Sequence, residues 1–426
     1  MSDVVGAGDA VRLAYGRGFL DLVLPIDADV ITPRHGTPLP DPSAALVDAL
    51  ARPAVGSPLG DLVQPGARVG VSVCDVTRPF PSRLVLPVLL DQLPTARVTV
   101  FVATGTHRAC TEDELDAMLG PAIRERVAVV QHDAFNAAAH TSVGAIAGSD
   151  VVASIDRRFL DIDVRVTIGF IEPHFFAGFS GGPKMVAPGL ASLDTVLELH
   201  SAARLADPRA TFGVLAGNPV HEGIAGVAAA VGVDIALDVT LDAEHRITGI
   251  HAGRPYEAHL AGCELVRATA MEPVGEAYDV VVTTNSGYPL DQSLYQSVKG
   301  ICAAAGIVRD GGAILLLSEC SDGLPAHGRY GALLDAYRDP ASFLDAIAAG
   351  ELRAHDQWQV QKQALVLQRA RVLVHAGGLS GDEIRAAWFE PVDDPTATLT
   401  GLVAEYGPSC RVAVLPEGPQ SIAYVR

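Results

Sequence analysis

Lysine is nearly missing from this chain: Lys184, Lys299 and Lys362 are the only three among 426 residues, against 28 arginines. Arginine therefore supplies almost every ordinary surface cation. A lysine in such a background marks a place where an amine that can lose its proton has a use that a permanently charged guanidinium lacks. Cysteine is also sparse. The six thiols, Cys74, Cys110, Cys263, Cys302, Cys320 and Cys410, include no pair at CxxC spacing, which argues against a thiolate zinc centre or a disulfide framework. A basic excess is absent as well. The formal net charge of −19 excludes nucleic-acid binding through a broad positive face. No stretch reaches the ~18 unbroken apolar residues that a membrane span needs. The start, Ser2 and Asp3 with no apolar run beside basic residues, has no signal-peptide pattern, so a cytoplasmic location is expected.

What is present is an ample core, since 49% of residues are hydrophobic and 19% charged. The length predicts more than one domain. After a peripheral hairpin and a helix at Pro42–Ala51, strand and helix patterns alternate: Arg68–Val73, Ser82–Gln92, Arg97–Ala103 and then Thr111–Leu119. The last begins with the Thr111–Glu114 spacing of a capping box. Strands are read at Val127–Val130, Val151–Ser154 and Asp163–Ile171, a helical run at Leu193–Ala206 and a helix at Pro219–Val231. The rhythm resumes at Tyr278. The expectation is an α/β protein of two domains, each with a mostly parallel sheet flanked by helices and with the active site in the interdomain cleft. Residues 1–270 form the expected N-terminal domain, 271–277 a connector and 278–426 the C-terminal domain.

Three polar clusters each follow a strand's carboxyl end, where ligands collect in such sheets. They are Asp75–Arg78, Thr104–Arg108 and Glu172–Lys184. His107 and His174 stand in the second and third, placed to serve as an acid/base pair near neutral pH. Ser180, Gly181, Gly182 and Pro183 lead to Lys184. These glycines let backbone N–H groups approach an anion, yet the segment is not a Walker A loop, because Met185 stands where Ser or Thr would bind magnesium. A plain glycine turn before a helix fits it equally. His200 ends the following helical run as a metal ligand or a cap, and no HxxxH or HExxH partner accompanies it. Arg78 and Lys299 are candidates for holding a carboxylate. Asp75 either orients Arg78 or opens a turn. Gln296 and Lys299 share a helix face beside Tyr295. Trp358 either stacks on a ring or belongs to the core.

Taken in order, these motifs resemble the nickel-pincer lactate racemase family. The carriers are Asp75–Val76–Thr77–Arg78, Thr104–Gly105–Thr106–His107–Arg108, Glu172–Pro173–His174 with Ser180–Lys184, His200, Tyr288–Asp291 with Tyr295, Gln296 and Lys299, and Trp358. The resemblance implies a racemase or epimerase of 2-hydroxy acids. Its cofactor would be a nickel-pincer nucleotide, a pyridinium-3,5-dithiocarboxylate-type mononucleotide tethered through Lys184. His200 would be the protein's nickel ligand, and Ser180, Gly181, Gly182 and Trp358 would contact the cofactor. His107 and His174 would be the acid/base pair, with hydride leaving C2 reversibly to give a 2-keto acid. Asp75, Arg78, Tyr295, Gln296 and Lys299 would bind substrate. Expected partners are the small 2-hydroxy acid and the enzymes that synthesise the cofactor and insert nickel, with no nucleic acid or membrane. Two other readings of the residues stand beside this one: a Lys184 Schiff-base enzyme using pyridoxal phosphate, and a non-catalytic carboxylate or nucleotide binder.

Overall fold

The computed structural model describes residues 2–34, 36–146, 149–325 and 328–426. They form two compact units. One gathers Met1–Arg34, Ser201–Pro208 and Thr269–Arg426; the other gathers His35–His200 and Arg209–Ala268.

The second unit is built on a six-stranded sheet ordered Ile247–Gly253, Ile235–Leu241, Val164–Phe170, Arg68–Cys74, Arg97–Ala103, Ala128–Gln131. Its strands run parallel except the Ile247–Gly253 edge, which is antiparallel to its neighbour. Arg68–Cys74 lies near the middle and is buried from Val69 onward. Helices cover both faces of such a strand, so it is written as a continuous apolar run rather than an alternation. Its core continues through Val100, Val102, Val166, Ile168 and Leu237, with Leu86 and Leu89 of the Ser82–Asp91 helix. Thr111 caps the Glu112–Leu119 helix in a reciprocal capping box with Glu114. The Val152–Asp156 segment, read above as a further sheet strand, instead pairs antiparallel with His140–Ala145 in a separate hairpin.

The first unit carries a seven-stranded sheet ordered Ser2–Val5, Ala28–Ile31, Val412–Leu415, Tyr278–Thr284, Val308–Leu317, Arg371–His375, Glu390–Pro391. Here the structure departs from the expected division of the chain. Ala28–Ile31 pairs in parallel with Val412–Leu415, and Val11, Leu13, Leu22 and Leu24 are buried with Val280, Val282 and Leu315. The first 34 residues therefore complete the C-terminal sheet and core rather than belonging with residues 35–200 and 209–268. The expected connector is itself structured, because Met271–Val274 is a strand paired in parallel with Ile422–Val425. The helical run expected at Leu193–Ala206 is two helices, Leu193–Leu199 and Ala202–Ala206. The chain changes unit between His200 and Ser201. Among the described residues no helix is long and apolar enough to cross a membrane.

Candidate active site

The three polar clusters of the second unit follow three adjacent strands, Val164–Phe170, Arg68–Cys74 and Arg97–Ala103. Backbone bonds tie their loops together. Gly105 N donates to Gly189 O at 3.0 Å, and Ser72 Oγ donates to Met185 O at 2.6 Å. The central strand thus anchors the turn that bears Lys184.

Asp75 and His107 form a pair. His107 Nδ1 lies 2.7 Å from Asp75 Oδ2, with the His107 side chain 45% exposed and that of Asp75 only 4%. Asp75 Oδ1 accepts from Thr77 N at 3.1 Å and Thr77 Oγ1 at 2.6 Å. Burial pushes the Asp75 carboxyl up, but the His107, Arg78 and Thr77 groups around it outweigh that and hold it below the usual carboxylate range. Asp75, expected among the substrate-binding groups, therefore spends both oxygens inside the chain. A carboxylate at Nδ1 fixes the neutral ring with its proton on that nitrogen and its lone pair on Nε2. Arg78 is half-buried, donates to Thr77 O and Oγ1, and makes no ion pair among the described residues.

His174 is held differently. Its Nδ1 accepts from Ala177 N at 3.3 Å, and its Nε2 lies 3.4 Å from Lys184 Nζ. Phe176 separates this ring from His200, meeting the first edge-on at 4.5 Å between centroids and the second at 5.0 Å. Phe175 and Phe176 are both buried. They are core residues that position the imidazoles.

His200 terminates the Leu193–Leu199 helix. Its Nδ1 donates to Val196 O at 2.7 Å, which places the proton of the neutral ring on that nitrogen. Burial, with the Lys184 charge adding to it, pushes this imidazole down to about 4. The ring is thus neutral at physiological pH, the state in which imidazole binds a metal. Among the described residues no three His, Cys, Asp or Glu side chains gather into a metal-holding group.

The glycine loop is held from beneath. Ser180 Oγ donates to Phe170 O and accepts from Glu172 N, both at 2.9 Å. It closes the loop's neck and has no hydroxyl proton left for a cofactor. Gly182 N donates to the buried Asp238 carboxyl at 3.0 Å, so this N–H is spent within the chain rather than on a ligand. Gly181 and Gly182 have φ of +71° and +48°. A Cβ on Gly181 would lie 2.9 Å from Asp238 Oδ1, and one on Gly182 would strike the His259 ring. Only glycine satisfies both constraints.

In the first unit, Tyr295, Gln296 and Lys299 occupy one half-buried face of the Leu294–Ala305 helix. Lys299 Nζ donates to Gln296 Oε1 at 2.9 Å, and Tyr295 OH donates to Asp356 Oδ1 at 3.3 Å. Trp358 is buried, edge-on to His355 with centroids 5.2 Å apart.

Sequence reasoning missed Asp238, His221 and His259. Burial pushes the Asp238 carboxyl up to about 7 even though Gly182 N–H opposes it. Burial pushes His221 and His259 down to about 4, with the Lys184 charge adding to the effect. His221 Nε2 has no hydrogen-bond partner, an orphaned polar atom in the surroundings of Lys184. Asn218 caps the Pro219–Val231 helix and also donates to Phe176 O. The one available sign was Asp238 interrupting the apolar strand Ile235–Leu241.

Two family models match the chain: the lactate racemase N-terminal domain over residues 15–213 and the lactate racemase C-terminal domain over residues 275–423. A lactate racemase of Thermoanaerobacterium thermosaccharolyticum is 34% identical over 376 residues, 87% of this chain and 88% of that protein. A lactate racemase of Lactiplantibacillus plantarum is 33% identical over 377 residues, again 87% and 88%. Among solved structures, the lactate racemase apoprotein of T. thermosaccharolyticum superposes with a TM-score of 0.90 at 31% identity, covering 97% of this chain and 100% of that one. A Thermotoga maritima protein at 19% identity and TM-score 0.69 shares the fold.

Proposed function

Because the chain belongs to the lactate racemase family, a family of isomerases, we propose that it interconverts the enantiomers of a 2-hydroxy carboxylate, lactate or a short relative. The reaction passes through the planar 2-keto acid. The proposed cofactor is a nickel-pincer nucleotide joined to Lys184, and the residues present fit it. His200 is a neutral, buried single donor, Lys184 is an amine where the composition writes arginine, and the orphaned His221 Nε2 remains for a further polar contact. When bound, that group supplies the acceptor for the C2 hydride. Cofactor synthesis and nickel insertion fall to separate enzymes.

The observation that carries the reading is the placement of two imidazoles after strands of one sheet, His107 oriented by Asp75 and His174 beside Lys184. His107, oriented by Asp75, presents a bare Nε2 and acts as base toward one enantiomer's hydroxyl. His174, beside Lys184 on the Glu172–Lys184 loop, acts in its imidazolium form as acid for the other, giving up a ring proton to become neutral imidazole. One turnover leaves each ring in the state the reverse direction needs, so two imidazoles serve a reversible reaction better than one. Among the proposed substrate-binding groups, Arg78 suits a carboxylate by its fork and Lys299, beside Gln296, as a point charge. Tyr295 and Trp358 line the substrate and cofactor region. The test is chiral chromatography of L-lactate incubated with protein produced alongside the cofactor-synthesis enzymes. Formation of D-lactate that His107→Ala and His174→Ala each abolish supports the proposal. Racemisation by protein made without those enzymes refutes the cofactor assignment.

A further inference from the structure

Beneath the turn that bears Lys184 lies a buried carboxyl that the reaction does not use. Asp238 belongs to the Ile235–Leu241 strand, opposite Gly169 of the neighbouring parallel strand. It is fully buried. Both oxygens lie in range of Gly182 N, at 3.0 and 3.2 Å. The loop has shaped itself around this group: a Cβ at Gly181 would lie 2.9 Å, and one at Gly169 3.0 Å, from Asp238 Oδ1. No cation forms an ion pair with it among the described residues. A second side chain reaches the same turn, His259 Nε2 donating to Ser180 O at 2.9 Å. A carboxylate buried without a cation is costly, so one that persists there needs a reason beyond filling space.

We propose that Asp238 is a positioning residue that clamps the Gly182 N–H from below and so fixes the turn presenting the Lys184 amine to its covalent partner. The clamp stands on the geometry alone; its service to covalent loading rests on the tether assignment above. Because the clamp is a carboxyl rather than an amide, its strength follows its protonation. The ionised form accepts a stronger hydrogen bond than the neutral acid, so the turn tightens as pH rises through the range where Asp238 loses its proton. The groups facing Asp238 are Cys74 on the central strand, His251 opposite it on the edge strand, and Cys263 with His259 on the Pro255–Ala270 helix. Both thiols are pushed up by burial and stay neutral. Burial holds His251 below its usual value and His259 at about 4, so neither contributes a charge above about pH 6.5.

The experiment compares wild type, Asp238→Asn and Asp238→Ala made without cofactor. Hydrogen exchange is measured by mass spectrometry on the peptide spanning 178–186 from pH 5.5 to 8.5, corrected for intrinsic chemistry. Wild type is expected to gain protection at Gly182 as pH rises through about 7. Asp238→Asn keeps an acceptor and the protection but loses that inflection. Asp238→Ala exchanges at least tenfold faster in this peptide, with the sheet unchanged. Exchange in Asp238→Ala within threefold of wild type overturns the clamp, and so does an unchanged inflection in Asp238→Asn. Should Asp238→Ala not fold, the Asparagine variant's pH profile decides alone. With the cofactor-synthesis enzymes co-produced, the fraction of Lys184 carrying an adduct, read by intact mass, falls at least fivefold in Asp238→Ala and is retained in Asp238→Asn. Equal loading in Asp238→Ala overturns the loading role. An unmodified Lys184 in wild type removes the tether assignment instead, and exchange then judges the clamp.

Discussion

Replacing Asp75 by asparagine separates two jobs this residue could do. The side chain keeps its size and one oxygen but loses the charge beside His107. At a charge separation of about 4 Å and an effective dielectric near 20, the lost attraction for an imidazolium is ~4 kcal/mol. His107 is 45% exposed, and solvent screening roughly halves that to ~2 kcal/mol, about 30-fold in rate. The asparagine amide can also donate to Nδ1, which moves the ring proton to Nε2 and removes the base. The total expected loss in kcat is on the order of 10³, within the range general base catalysis supplies. A chiral lactate assay on cofactor-loaded protein, run over a range of substrate concentrations, reads kcat and KM separately. The structure predicts a fallen kcat with KM within about threefold. Raised KM with kcat retained would return Asp75 to the substrate-binding role expected from sequence, and would falsify the dyad.

Other outcomes follow from the same geometry. His200→Ala should fold normally yet retain less than a tenth of the wild-type nickel by elemental analysis; full nickel content would remove it as a ligand. Lys184→Arg keeps the charge but should lack any covalent adduct by intact mass. A borohydride-reducible aldehyde adduct on wild type without nickel would favour the pyridoxal reading. Ser180→Ala breaks the neck of the loop and should cost ~1–2 kcal/mol, visible as a lower urea midpoint with Lys184 still modified; an unchanged midpoint would contradict the clasp. Stability should rise with pH between about 4.5 and 6.5. His200, His221 and His259 are all held near 4 when folded, so there the unfolded chain binds more protons. Their contribution is present above the unfolded value of ~6.5 and is lost on acidification toward 4. Asp238, raised to about 7, works in the opposite direction, as one group against three. A urea midpoint that is flat or falls over this interval would refute the assignment of neutral buried rings.

The α/β character was legible because buried parallel strands are written as apolar runs. Arg97–Ala103 and Pro219–Val231 end where the pattern says they do. The division of the chain was not legible. Nothing local in Ala28–Ile31 reveals that its partner lies almost four hundred residues away at Val412–Leu415, because pairing is a property of two strands. The cluster Glu172–His200 was readable as chemistry, since lysine scarcity singles out Lys184 and strand ends single out His107 and His174.

By itself, then, the sequence determined the kinds of group available and their order: two imidazoles after strands, an amine in a glycine turn, and a histidine at a helix end. Side-chain type is local, and local pattern carries it. Only the tertiary structure decided which nitrogen of His107 and of His200 is engaged, since that depends on Asp75 and Val196 as hydrogen-bond partners. It also decided that Ser180 serves the loop's neck and that Asp238 holds the turn from below. Hydrogen bonds such as Asp75 with His107 and Asp238 with Gly182 join residues 32 and 56 positions apart, and only folding brings such groups together.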